Sequence, residues 1–142
     1  MNDVALSPSA APSGALHIVL WVVQVLLAAA FLMAGAMKLT TPSADLVAQG
    51  MTWVESFPAF LPTFAGVVEV LGALGLVLPS ATRVQPKLTV YAAAGLVLVM
   101  VVAAGIHISI GEASMIAPNI VLGGLAAFVA WGRSSKAVIP PR

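Results

Sequence analysis

The sequence predicts an all-α integral membrane protein, a four-helix bundle with a short amphipathic helix in its first outward loop. Of the 142 residues, 61% are hydrophobic and only 8% are charged, and the mean hydropathy is +1.07. A soluble domain carries about 25% charged residues. Four apolar stretches have about the 20 residues that cross the hydrocarbon core of a bilayer. The lipid bilayer is therefore the first expected partner.

Composition also excludes several classes of function. The net charge of +1, with no basic patch, gives no support for a nucleic-acid partner. The chain has no cysteine, so it has no disulfides, no thiol redox pair and no thiolate metal site. Neither HExxH nor paired histidines on one face occur, and the sequence predicts no metal site.

Three segments are expected along the chain. Residues 1–15 are rich in Ser, Ala and Pro and lack periodicity, which predicts a disordered tail. Residues 16–133 form the predicted membrane domain, and residues 134–142 a short C-terminal tail. The spans are expected at about 16–37, 58–78, 88–110 and 115–131.

The first span carries its polar side chains on one face. The positions on this face step by four and three residues: His17, Trp21, Gln24, Ala28, Phe31, Gly35 and Lys38. His17 and Lys38 fall near the two membrane interfaces. Gln24 lies well inside the span and should face the bundle.

The connection after the first span is long, and its apolar spacing predicts one short helix and a turn near Gly50. Trp53 in this loop suits the membrane interface and is expected to cover the mouth of the bundle. The second span should begin near Pro58, since a proline in the first turn costs little, and end at Pro79.

A single carboxylate, Glu69, lies in the middle of the second span. A carboxylate inside a bilayer is costly, so it should face protein or water and have a partner or a proton. No cation is expected at its depth, and we therefore predict that Glu69 is partly protonated near neutral pH. Glu69 is the candidate catalytic residue.

Helical depth, at about 1.5 Å per residue, predicts a polar column from the midplane to the outer surface. The candidate ligand-binding residues are Gln24, Lys38, Trp53, Glu69, His107, Glu112 and Asn119. Simpler alternatives stay open. Gln24 and Asn119 are also explained as interhelical hydrogen bonds, His107 as a solvated residue near the interface, and Glu112 as a loop carboxylate, with or without a capping role at the fourth helix.

Topology follows from the cations. Four spans place both termini on one side, together with five cations: Arg83, Lys87, Arg133, Lys136 and Arg142. The other side has only Lys38. The positive-inside rule predicts a multi-pass protein of the cell (inner) membrane with both termini in the cytoplasm.

Several short motifs are shared with a known family. They are Gly35-x-x-Lys38, the run Gly66-x-x-Glu69-x-x-Gly-Ala-x-Gly-Leu-x-x-Pro79, His107-x-x-x-Gly-Glu112, Asn119 and Phe128-Val-Ala-x-Gly-Arg133. Residues 16–133 thereby resemble the DoxX-like family of small bacterial membrane proteins. Relatives often carry an arginine shortly before Gly-x-x-Glu, where this chain has Pro62-Thr63-Phe64.

The resemblance implies a four-helix membrane bundle associated with membrane redox complexes, because the family is named after a subunit of an archaeal thiosulfate:quinone oxidoreductase. A quinone is then the candidate cofactor, and membrane oxidoreductase subunits are candidate partners. The first hypothesis is such a subunit or a binder of a small lipophilic ligand. The alternatives are an enzyme or carrier for a hydrophobic substrate that uses Glu69 as acid/base, and a structural or assembly subunit.

Overall fold

The computed structural model describes residues 14–142; residues 1–13, where most of the predicted disordered tail falls, lie outside the described residues. Every regular element in the described part is helical. The α-helices are α1 (Gly14–Thr40), α2 (Ser43–Ala48), α3 (Trp53–Ser56), α4 (Leu61–Thr82), α5 (Lys87–Ser109) and α6 (Ile116–Trp131). A 3-10 turn (Ala113–Met115) precedes α6, and a π-helical turn (Gly132–Lys136) continues it.

Four helical segments are long and apolar enough to cross a membrane: α1, α4, α5 and α6 with its flanking turns. α1 packs on α4, α4 on α5 and α5 on α6, while the contact between α1 and α6 is smaller. Short connections from α4 to α5 and from α5 to α6 favour antiparallel neighbours, whereas α1 is joined to α4 through α2 and α3. The prediction of an all-α membrane bundle is confirmed. The end of the bundle that carries α2 and α3 is here named the loop end, and the opposite end the terminal end.

Glycines bring α4 close to both of its neighbours. A Cβ atom added to Gly35 of α1 would lie 2.8 Å from the carbonyl oxygen of Gly66 in α4, so these two backbones are in direct contact. A Cβ atom on Gly72 would lie 2.6 Å from Leu96 Cδ2 in α5. Small residues at helix crossings permit this close packing in membranes, where van der Waals contact drives association.

Helix α4 differs in its bounds from the expected second span. It begins at Leu61 rather than near Pro58, and Pro62 lies in its first turn. It also continues past Pro79 to Thr82. Pro79 lies in the last turn and has no backbone N–H to donate. The helix ends at Arg83, which adopts a left-handed conformation with φ of 59°.

The connection after α1 forms two short helices, α2 and α3, where one helix and a turn were expected. Gly50, with φ of 99°, separates them. Leu46, Trp53 and Val54 are buried there and pack with residues of the long helices such as Leu61 and Ile106. The two short helices therefore cover the loop end of the bundle.

Candidate functional site

Lys38 of α1 and Glu69 of α4 form a buried ion pair. Lys38 Nζ lies 2.8 Å from Glu69 Oε2 and 3.0 Å from Oε1. The lysine side chain is 10% exposed and the glutamate side chain 6%. The expectation that no cation lies near Glu69 was wrong, and partial protonation of Glu69 loses its premise. Helical side chains lean toward the helix N-terminus, which carries the long lysine side chain into the bundle from the loop end.

A cavity of about 490 Å³ adjoins this ion pair. That volume lies within the range of about 300–1,000 Å³ that is usual for small-molecule sites. The walls are mainly apolar and come from α1, α4, α5 and α6. The polar and aromatic residues that sequence analysis selected and that line it are Lys38, Trp53, Glu69, His107 and Asn119.

The exposed part of the cavity lining comes from α4 and α5. From the middle of the bundle to its terminal end these helices are held together, first by Gly72 against Leu96 and then by a buried hydrogen bond of 2.7 Å between Ser80 Oγ and Thr89 Oγ1. Toward the loop end the cavity lies between them. Its lining includes three exposed apolar side chains: Phe64, Leu98 and Val102. This part of the lining therefore lies on the apolar outer surface that faces lipid.

His107 is held by a residue outside the cavity lining. Its Nδ1 lies 2.8 Å from Glu112 Oε2, and Thr52 Oγ1 donates a hydrogen bond to Glu112 Oε1. The hydrogen bonds from Thr52 and His107 lower the pKa of the Glu112 carboxyl from its usual value. Glu112 makes no side-chain capping bond to the 3-10 turn, and α6 has no side-chain cap either. Glu112 is therefore a loop carboxylate without a side-chain capping role.

Asn119 of α6 presents an amide to the same cavity. Its Nδ2 atom is buried and has no hydrogen-bond partner among the described residues. A buried donor without an acceptor costs about 1–3 kcal/mol. An acceptor placed in the cavity within reach of this donor would remove that cost.

The model of the DoxX-like family matches residues 22–129, which include most of α1, all of α4 and α5, and nearly all of α6. The chain belongs to the DoxX-like family. The resemblance noted in the sequence is thereby confirmed. No curated protein and no solved structure matches the chain.

Gln24 lies outside the cavity of this DoxX-like protein. Its Nε2 donates a hydrogen bond of 2.6 Å to the carbonyl oxygen of Leu76, and its Oε1 accepts one of 2.6 Å from Arg133 Nε. Gln24 thus joins α1 to α4 and to the turn after α6, near the terminal end. The expectation that it belongs to the polar column was wrong, and the alternative of an interhelical hydrogen bond describes it.

Arg133 was not among the selected site residues, because the sequence counted it as a tail cation. It is only 4% exposed. Its Nη1 contacts His17 Nδ1 at 3.0 Å and donates to the carbonyl oxygen of Ala137 at 3.1 Å, and the guanidinium lies 5.3 Å from the centre of the Trp21 ring. The polar face of the first span, with His17, Trp21 and Gln24 at this end, was the available signal for a buried cation.

Proposed function

We propose that this DoxX-like protein binds a small lipophilic molecule by its polar head, in the cavity beside the Lys38–Glu69 pair. The supporting observation is one cavity that combines apolar walls, an exposed apolar lining on α4 and α5, and a cluster of polar groups. Small-molecule sites are typically apolar with a few placed polar groups that fix orientation. A molecule dissolved in the bilayer would enter between α4 and α5.

A quinone-like head is the candidate ligand, in association with membrane redox chemistry. Its carbonyl oxygens need hydrogen-bond donors in an apolar pocket. Asn119 Nδ2 is one such donor. Lys38 supplies another, because an ammonium group has three N–H donors and Glu69 provides two acceptor oxygens. Trp53 adds an aromatic ring beside the head.

The cellular setting is part of the proposal. We place the protein in the cell membrane with both termini in the cytoplasm and the loop end outward, with membrane oxidoreductase subunits as candidate partners. The exposed cations Arg83, Lys87, Lys136 and Arg142 gather at the terminal end, which supports this orientation. Since Glu69 is paired with Lys38 inside the chain, its charge does not require a partner subunit.

Fluorescence quenching tests the proposed site. Trp21→Phe with Trp131→Phe leaves Trp53 as the one tryptophan of three. A short-chain benzoquinone titrated into this protein in nanodiscs should quench Trp53 saturably. The matched control is the protein in which Trp21, at the terminal end, is the one remaining tryptophan. Its quenching should not saturate but should rise steadily with the quinone content of the lipid. Equal, unsaturable quenching of the two proteins would refute the proposal.

A cavity-filling variant gives a second measurement. Gly95 lines the cavity, and an added Cβ atom there meets nothing within 4 Å, so Gly95→Leu should fill space without breaking the helix packing. Gly105→Leu is the control, since Gly105 is equally open, lies in the same helix and is not part of the lining. Gly95→Leu should abolish saturable quenching, and Gly105→Leu should keep it.

A further inference from the structure

The contacts of His107 define which of its ring nitrogens carries hydrogen. Nδ1 lies 2.8 Å from Glu112 Oε2. An ionised carboxylate only accepts hydrogen bonds, so Nδ1 must donate. In the neutral ring this leaves the lone pair on Nε2. Thr52 Oγ1 donates to the other oxygen of Glu112, which fixes the carboxylate from its second side.

His107 then differs from the other polar groups of the cavity. No hydrogen bond joins its Nε2 to another described residue, and His107 is part of the lining. Asn119 Nδ2 and the third N–H of Lys38 are donors. The lone pair on His107 Nε2 is an acceptor. The remaining charged group at the cavity, Glu69, uses its oxygens on Lys38.

We propose that Glu112 is a positioning residue that keeps His107 Nε2 as a hydrogen-bond acceptor, so that the cavity selects a lipophile whose polar head carries both a hydroxyl group and an acceptor oxygen. The hydroxyl donates to His107 Nε2, and the acceptor oxygen receives the hydrogen bond of Asn119 Nδ2. This inference rests on the proposed lipophile site and specifies its ligand class. A head with acceptors alone leaves His107 Nε2 without a donor, which costs affinity when the site is desolvated.

The positioning role is tested without any ligand. The chain has two histidines. In protein with ¹⁵N-labelled histidine, subtraction of the His107→Gln spectrum isolates the His107 signals. Wild type should show hydrogen on Nδ1 and a bare Nε2. Glu112→Gln should shift the population toward hydrogen on Nε2, because a side-chain amide can either donate or accept. Glu55→Gln removes the same charge from an exposed position of α3 and should leave the spectrum unchanged.

Two results of this experiment would overturn the positioning role: hydrogen on Nε2 in the wild type, or a tautomer that does not respond to Glu112→Gln. Should Glu112→Gln fail to fold, Glu112→Asp replaces it. The shorter side chain keeps the charge but withdraws the carboxylate from Nδ1, so the same shift is expected.

The ligand class is tested with a matched pair of probes on the protein that keeps only Trp53. A short-chain quinol has hydroxyl groups, and its dimethyl ether has the same ring without the donors. Wild type should bind the quinol about tenfold more tightly, the effect of one hydrogen bond of about 1.4 kcal/mol. In Glu112→Gln this ratio should fall toward one.

The outcomes separate the two proposals. If both probes bind the wild type equally, selection of a hydroxyl group is wrong while the lipophile site stands. If neither probe nor the benzoquinone binds saturably, the lipophile site itself is wrong and the ligand class falls with it. The histidine spectra then still decide whether Glu112 positions His107.

Discussion

Lys38 and Glu69 meet beside the point where α1 and α4 touch through their backbones. Each charged residue follows a glycine by three positions, and a Cβ atom on either glycine would lie within 2.8–2.9 Å of the other's carbonyl oxygen. The two helices run in opposite directions, so Lys38 lies toward the loop end and Glu69 toward the middle. The long lysine side chain spans that offset and brings its charge into the bundle.

Removal of Lys38 should destabilise the protein more than removal of the Glu69 charge. Lys38→Met leaves a short, buried carboxylate unpaired, a loss of about 3–5 kcal/mol. Glu69→Gln should cost less, because a lysine can extend its ammonium group to the interface. Thermal unfolding in detergent ranks the two variants. The double variant Lys38→Met with Glu69→Leu should recover much of the loss. If Lys38→Met unfolds at the wild-type temperature, the pair does not contribute to stability.

The contact between Gly35 and Gly66 should not tolerate a methyl group. In Gly35→Ala the new Cβ atom would approach backbone oxygen at 2.8 Å, and α1 would have to move away from α4. An overpacked core loses about 1–3 kcal/mol. Gly105→Ala, where the added atom meets nothing, is the control and should be neutral or stabilising. Equal unfolding temperatures for the two alanine variants would show that the helices are not in backbone contact.

Arg133 should not be replaceable by lysine. The planar guanidinium bonds Gln24 and His17 at once and lies over the Trp21 ring, which a lysine ammonium group cannot reproduce. Arg133→Lys should cost about 1.5–3 kcal/mol and alter the emission of Trp21. Lys136→Arg, an exposed exchange at the same end of the bundle, should change neither. If Arg133→Lys had the stability and the Trp21 emission of the wild type, the guanidinium would not be required at this position.

Topology can be read by cysteine labelling, because the chain has no cysteine of its own. A cysteine in place of the exposed Ser43 at the start of α2 should react with an impermeant reagent in intact cells. One in place of Ser135, in the turn after α6, should react only after the membrane is opened. The reverse labelling pattern would place the loop end, and the cavity near it, on the cytoplasmic side of the membrane.

Acid should loosen the contacts of Glu112. Its folded pKa is below the usual 4.5, since Thr52 and His107 stabilise the carboxylate. The stability that these hydrogen bonds contribute is fully present above pH 4.5. It is lost as the pH falls below 4.5 and through the lower pKa of Glu112 in the folded protein. Unfolding temperatures measured between pH 6 and pH 3, about the range in which a carboxyl titrates, should fall more steeply for the wild type than for Glu112→Gln. Parallel curves would contradict the lowered pKa.

The sequence alone determined the fold class, because the length and apolarity of each span are local properties of the chain. It also determined most of the cavity's polar residues. Intramembrane polar groups are costly, so Glu69 and Asn119 had to face the interior of the bundle. In a bundle of only four spans, few other polar residues are available to lie beside them there. The motifs Gly35-x-x-Lys38 and Gly66-x-x-Glu69 identified the family, which the matching model confirmed.

Only the tertiary structure decided how these groups pair. The depth estimated from position along the helix places the backbone of Lys38 far from Glu69. That estimate takes no account of the long lysine side chain, which leans back along its helix toward Glu69. The separation of Gln24 from the cavity and the burial of Arg133 both depend on the contact of three segments: α1, α4 and the turn after α6. Hydrogen bonds between residues 60 and 109 positions apart, as in Thr52–Glu112 and Gln24–Arg133, leave no local pattern in the chain. They form because packing brings their helices together.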